Sequence, residues 1–134
     1  MRKWIVFAVV AISAVIISAS ASAEGEKYTA KQIMSKSNGG PKSLVKTIGA
    51  AVKDKKVDWP KVQAAADELA KLGEAFPTTE PKKGDKDSFV KLATKWAEGT
   101  AAVAKAAKAE DAKGVETAIS ALGKQCGTCH MAHR

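Results

Sequence analysis

Three residues within one helical turn constrain this chain more than any other part of it. Cys126-Gly127-Thr128-Cys129-His130 reads Cys-x-x-Cys-His. At that spacing two thiols add across the vinyl groups of a c-type haem while the adjoining imidazole ligates iron. On a helix, Cys126 and His130 stand one turn apart and share a face with Cys129. A chain that carries such a group must fold so that helices close around a large apolar plate.

Other readings of the cysteine pair compete with this one. A thioredoxin-like redox pair needs a βαβ setting with the Cys-x-x-Cys opening a helix, and no strand pattern lies nearby. Structural zinc normally takes four Cys or His ligands. Only Cys126, Cys129, His130 and His133 are on offer, crowded into eight residues. A disulfide between Cys126 and Cys129 would close a loop too short to constrain the unfolded chain much. Covalent haem, one per chain, is the reading that uses all three motif residues.

The N-terminal end points to a compartment. Arg2 and Lys3 precede an apolar stretch from Trp4 to Ile17, and Ala21-Ser22-Ala23 supplies an A-x-A cleavage site before Glu24. Residues 1–23 therefore read as a secretory signal peptide, and 24–134 as one domain. The apolar stretch is short for a membrane span, which needs about 20 residues, so the mature chain is expected to have none. Haem attachment in bacteria takes place outside the cytoplasmic membrane, so the leader and the motif agree on a periplasmic protein.

The chain carries 22 Lys and Arg against 14 Asp and Glu, a net charge of +8, which falls to +6 once Arg2 and Lys3 leave with the leader. Such a balance serves solubility or steers the protein toward acidic docking surfaces on redox donors and acceptors. The lysines are scattered instead of clustered with aromatics, so nucleic acid is not an expected partner.

Between its ends the chain reads as helices and connectors, without a strand or an internal repeat. Thr29-x-x-Gln32 is a capping box that opens a helix through Ile33 and Met34. Asn38-Gly39-Gly40-Pro41 interrupts it, and Leu44, Val45, Ile48 and Val52 resume an apolar stripe. Glu26–Lys53 is thus one interrupted helix or two short ones. Asp58-Trp59-Pro60 starts the next element, with Asp58 as cap and Pro60 in the tolerant first turn. Val62, Ala65, Ala66, Leu69 and Leu72 face inward, and Gly73 is expected to end it.

Glu74–Asp87, with two prolines and a glycine, reads as the longest loop, and a further helix is expected from Asp87 or Ser88. Phe89, Leu92, Ala93, Trp96, Thr100, Val103 and Ala107 form one continuous stripe on it. Asp111 caps the last helix, whose Val115, Ala118, Ile119 and Leu122 continue into Cys126, Cys129 and His130. Four helical stretches with short links favour an all-α, antiparallel up-down four-helix bundle, ending in the haem-attachment helix.

With those residues in place, the chain resembles the class II cytochromes c, the cytochrome c′ family. The C-terminal Cys-Gly-Thr-Cys-His-Met-Ala-His-Arg is similar to that family's ending, although His133 stands where the family often has an aromatic residue. A methionine on the first helix, here beside Ile33, adds to the likeness. Cytochromes c′ are themselves known up-down bundles, so the resemblance carries the fold with it. It implies His130 as proximal iron ligand and Met34 as distal ligand.

A Met34-ligated iron would be closed and suited to moving single electrons. If Met34 only packs nearby, the alternative is five-coordinate iron that binds NO or CO in an apolar distal pocket. Both histidines lie on the proximal helix, so no distal His-Arg pair is set to break a peroxide bond, and the chain reads as a non-enzyme. Arg134 is a candidate contact for a haem propionate, or a cation that complements the helix end. Phe89 and Trp96 are expected to pack in the core, and Trp59 either covers a haem edge or staples a loop. Alanine-rich helix faces are compatible with a monomer or a homodimer.

Overall fold

A computed structural model describes residues 27–134; the expected leader and its cleavage site lie outside the described residues. Five α-helices follow one another: α1 (Ala30–Asn38), α2 (Leu44–Ala51), α3 (Trp59–Ala75), α4 (Lys86–Lys108) and α5 (Ala112–His133). A 3₁₀ turn, Phe76–Thr78, extends α3. No strand forms among the described residues. Taken together, α1 and α2 are the broken first member of a four-helix bundle. Helix α4 packs against both α3 and α5, and α2 closes the bundle against α3 and α5.

Local chemistry sets most of the helix starts. At α1 the capping box forms in full: Gln32 N–H donates to Thr29 Oγ1 at 3.2 Å, and Thr29 N–H donates to Gln32 Oε1 at 2.9 Å. Asp58, Asp85 and Asp111 each accept from a backbone N–H three residues on, satisfying donors that a helix start leaves unpaired. The first helix resolves into two pieces because Gly39 and Gly40 stop the ladder, Gly40 taking a φ of +77°, which side chains disfavour.

Two expected boundaries are corrected. Gly73 does not end α3. It is buried inside the helix, where Thr100 of α4 presses onto the position that a Cβ would occupy. The glycine is there to let two helices approach, and the chain stays helical through Ala75. The connector Glu74–Asp87 is correspondingly shorter and more ordered than its prolines suggest. Phe76 is buried within it, and Thr79 donates its hydroxyl to Phe76 O at 2.7 Å. Helix α4 starts at Lys86 and not at Asp87 or Ser88, because Asp85 caps it by accepting from Ser88 N–H at 2.7 Å. On the surface, Glu80 accepts from Lys86 and holds its ammonium pKa up; both groups are exposed, so water and salt screen the pair.

The α4 stripe is buried as its spacing requires. Phe89, Ala93, Trp96, Thr100, Val103 and Ala107 are all buried, and Leu92 is half-buried. Ile33, Ile48, Val62, Leu69, Val115 and Leu122 complete the core from the other helices. Each large aliphatic side chain taken out of water contributes about 1.5–3 kcal/mol. Among the described residues, no helix is long and apolar enough to cross a membrane.

Gly73→Ala sets two effects against each other. The substitution gains up to about 1 kcal/mol of helix propensity but overpacks the Thr100 contact, at a cost of about 1–3 kcal/mol. The variant should melt below wild type. Thr100→Ala added to it should recover part of the loss, which a double-mutant cycle by thermal unfolding reads directly.

Candidate haem site

At one end of the bundle the helices part around a cavity of about 940 Å³, within the upper range of cavities that hold small molecules and cofactors, about 300–1,000 Å³. Its walls come from α1, from Phe76 and the loop that follows, from the N-terminal half of α4, and from the C-terminal half of α5. Phe76 is the centre of an aromatic wall. Its ring lies 5.2 Å from Phe89 and 5.2 Å from Trp96, edge to face in both cases, the geometry that aromatic quadrupoles favour.

Helix α5 delivers Cys126, Cys129 and His130 to this cavity. Val115 and Leu122 seat its earlier turns in the core, and the same face carried two turns further reaches the motif. Both cysteines are free thiols and half-buried; Cys126 Sγ donates to Leu122 O at 3.7 Å. His130 is exposed at the cavity, and among the described residues no hydrogen bond to its ring occurs. Met131 is 81% exposed, so it turns away from the cavity that its neighbour lines.

Met34 lines the same cavity from α1, while Ile33 beside it is buried in the core. The pair divides the labour of one helical turn: Ile33 anchors α1, and Met34 faces the open space. Asn38, one turn on, donates to the Met34 sulfur at 3.8 Å. The structure thus brings Met34 to the cavity that holds the attachment motif, although 92 positions separate Met34 from Cys126. Arg134 lines the cavity too. Trp59 does not: it lies at the opposite end of the bundle beside Pro60 and Glu110, where it packs against the core and staples a connector.

The residues present fit a haem. Two thiols and an imidazole share one helix face, a thioether enters from another helix, and aromatic rings line the space between. Sequence reasoning missed two parts of this. Phe76 fell inside a stretch whose prolines read as loop, and its only signal was a lone aromatic beside Pro77. Lys31, Lys82, Lys95 and Lys124 gather with Arg134 at the cavity, and among the described residues no Asp or Glu lines it. These lysines are far apart in the chain, so nothing in their spacing announces the cluster.

Burial pushes the Cys129 thiol pKa up, and the neighbouring Cys126 charge adds to the shift. The haem-free, reduced chain should therefore alkylate slowly at Cys129 near neutral pH and faster as pH rises past the ordinary thiol range, because only the thiolate attacks. Peptide mass mapping after iodoacetamide treatment reads the effect; rapid modification of Cys129 at neutral pH would contradict it.

A family model described as cytochrome C' matches residues 39–134, taking in the α2–α5 bundle and the whole Cys126–His130 motif, while α1 with Met34 lies ahead of the matched segment. No curated protein and no solved structure gives a match to the chain. Bundle, motif and match converge: the chain belongs to the cytochrome c′ family, which makes it a haem-binding cytochrome of the electron-carrying or gas-binding kind.

Proposed function

We propose that this protein carries single electrons through one covalently held haem, with iron between His130 and Met34. The observation that carries this reading is the placement of Met34 and His130 on different helices around one cavity. Cys126 and Cys129 would hold the group as thioethers, and His130 and Met34 would supply nitrogen and sulfur to iron. Bound there, haem provides a metal that changes by one electron, at a potential that thioether ligation raises. Phe76, Phe89 and Trp96 keep water from the enclosed side and give the site a low dielectric. Arg134, which lines the cavity, would neutralise a propionate.

Carrying electrons requires partners, and the charge distribution favours acidic ones. Lys31, Lys82, Lys95, Lys124 and Arg134 are all exposed, and they gather where the cavity opens. Such a one-signed cluster steers acidic donors and acceptors toward the haem end. The leader that residues 1–23 resemble would export the chain to the periplasm, where haem attachment occurs. No catalytic step is assigned to any residue.

Optical spectra of the purified protein test the ligand pair. Split, sharp bands on reduction, a weak long-wavelength charge-transfer band when oxidised, and no response to CO are expected. Met34→Ala should abolish the charge-transfer band and let CO bind. Prompt CO binding by the wild-type protein would instead establish five-coordinate, gas-binding iron.

The cationic cluster predicts a second behaviour. Oxidation of the reduced protein by ferricyanide, an anion, should slow as salt shortens the Debye length from about 30 Å at 0.01 M to about 8 Å at 0.15 M. In a Lys82→Glu/Lys124→Glu variant the rate at low salt should drop several-fold and its salt dependence flatten. A wild-type rate indifferent to salt would remove the steering role.

A further inference from the structure

Two histidines sit three residues apart on α5, yet the fold treats them in opposite ways. His130 is exposed at the cavity, whereas His133 is only 6% exposed. Both ring nitrogens of His133 are engaged. Nδ1 lies 3.1 Å from Lys83 O, in the loop that leads to α4. A carbonyl can only accept, so Nδ1 carries the hydrogen and donates. Nε2 lies 3.2 Å from Ser88 Oγ in the first turn of α4; in the neutral ring the Ser88 hydroxyl donates to it. The imidazole also stands edge to face on Phe89 at 5.6 Å.

The loop backbone is fitted to this contact. Gly84 adopts a φ of +85°, and a Cβ there would come within 2.6 Å of Ala132 O and 2.8 Å of His133 Nδ1. Only glycine lets the loop lie so close to the end of α5. That end needs such a tie: the last carbonyls of a helix have no partner within it, and terminal turns fray. Here the C-terminal turn also carries Cys129 and His130. An imidazole on a fraying turn would sample several orientations toward a metal.

We propose that His133 is a positioning residue for the iron ligand, clamping the C-terminal turn of α5 to Lys83, Ser88 and Phe89 so that His130 meets the cavity in one orientation. The same clamp separates the jobs of the two imidazoles, since bonds to both nitrogens withhold His133 from the metal. The inference rests on His130 being the proximal ligand.

The test uses the haem-loaded protein and three variants. His133→Phe keeps a ring against Phe89 but removes both hydrogen bonds, Ser88→Ala removes one, and His133→Ala removes the whole contact. Ferric EPR g-values and haem-methyl NMR shifts report the orientation of the axial imidazole, and amide hydrogen exchange reports the opening of residues 126–134. His133→Ala should speed that exchange by roughly tenfold, about the effect of losing one or two net hydrogen bonds. It should also displace the g-values and the reduction potential. His133→Phe should recover most of the melting temperature while leaving the g-values displaced, and Ser88→Ala should move them the same way by less. A lowered melting temperature with g-values, methyl shifts and potential all at wild type would overturn the proposal. Should His133→Ala fail to fold, His133→Phe and Ser88→Ala decide by the same criteria. A His130→Ala variant checks the underlying ligand separately: an unchanged proximal signature there would sink the His130 reading itself.

Discussion

Two adjacent residues at the middle of α4 govern how closely this bundle can pack. Thr100 presses on Gly73 of α3, and Gly99 receives Leu122 of α5. At each crossing a glycine makes room where any side chain would force the helices apart. Beyond that point α4 carries Val103, Ala104 and Ala107, which are buried and pack closely in the end of the bundle away from the cavity. Dispersion favours such close contact because each atom then has partners on all sides. The tight half fixes the relative placement of α3, α4 and α5, and the looser half inherits it.

In the looser half the same α4 stripe switches to Phe89, Leu92 and Trp96. Large rings line the cavity wall here, and the break at Gly39 and Gly40 separates α1, which lines the cavity, from α2, which does not. The cavity is the consequence of these two departures from regular packing. A core filled with aliphatic side chains would have no such space. Here the Phe76 ring, supplied by a 3₁₀ turn, meets Phe89 and Trp96 edge to face and braces the wall.

The C-terminal turn of α5 poses a different problem. It bears the attachment motif, yet it sits where a helix is least stable. The loop ahead of α4 meets that need through Gly84, Lys83 and Ser88, all of which converge on His133. The contact also fixes where Lys82 stands, so one loop both braces the motif and contributes a cation to the cavity. Packing, the seating of the Cys-x-x-Cys-His motif and surface charge are thereby coupled at a single corner of the fold.

The family, the helical class and most helix starts were legible in the sequence because their signals are local. Cys126, Cys129 and His130 fall within five residues, caps act over three, and the α4 stripe repeats along one element. The end of α3 is not legible for the same reason: Gly73 looks like a helix stop when only its neighbours in sequence are considered, and its partner Thr100 lies 27 residues away. Phe76 was hidden by the prolines around it. Local sequence sets which chemistry the chain offers, two thiols and an imidazole on one helix face and a methionine near the other end. Only the packing of the helices brings Met34 to the same cavity, gathers Lys31, Lys82, Lys95, Lys124 and Arg134 along its lining, and buries His133 while leaving His130 facing the space. Those outcomes depend on contacts between elements tens of residues apart, and no local periodicity encodes where separate helices converge.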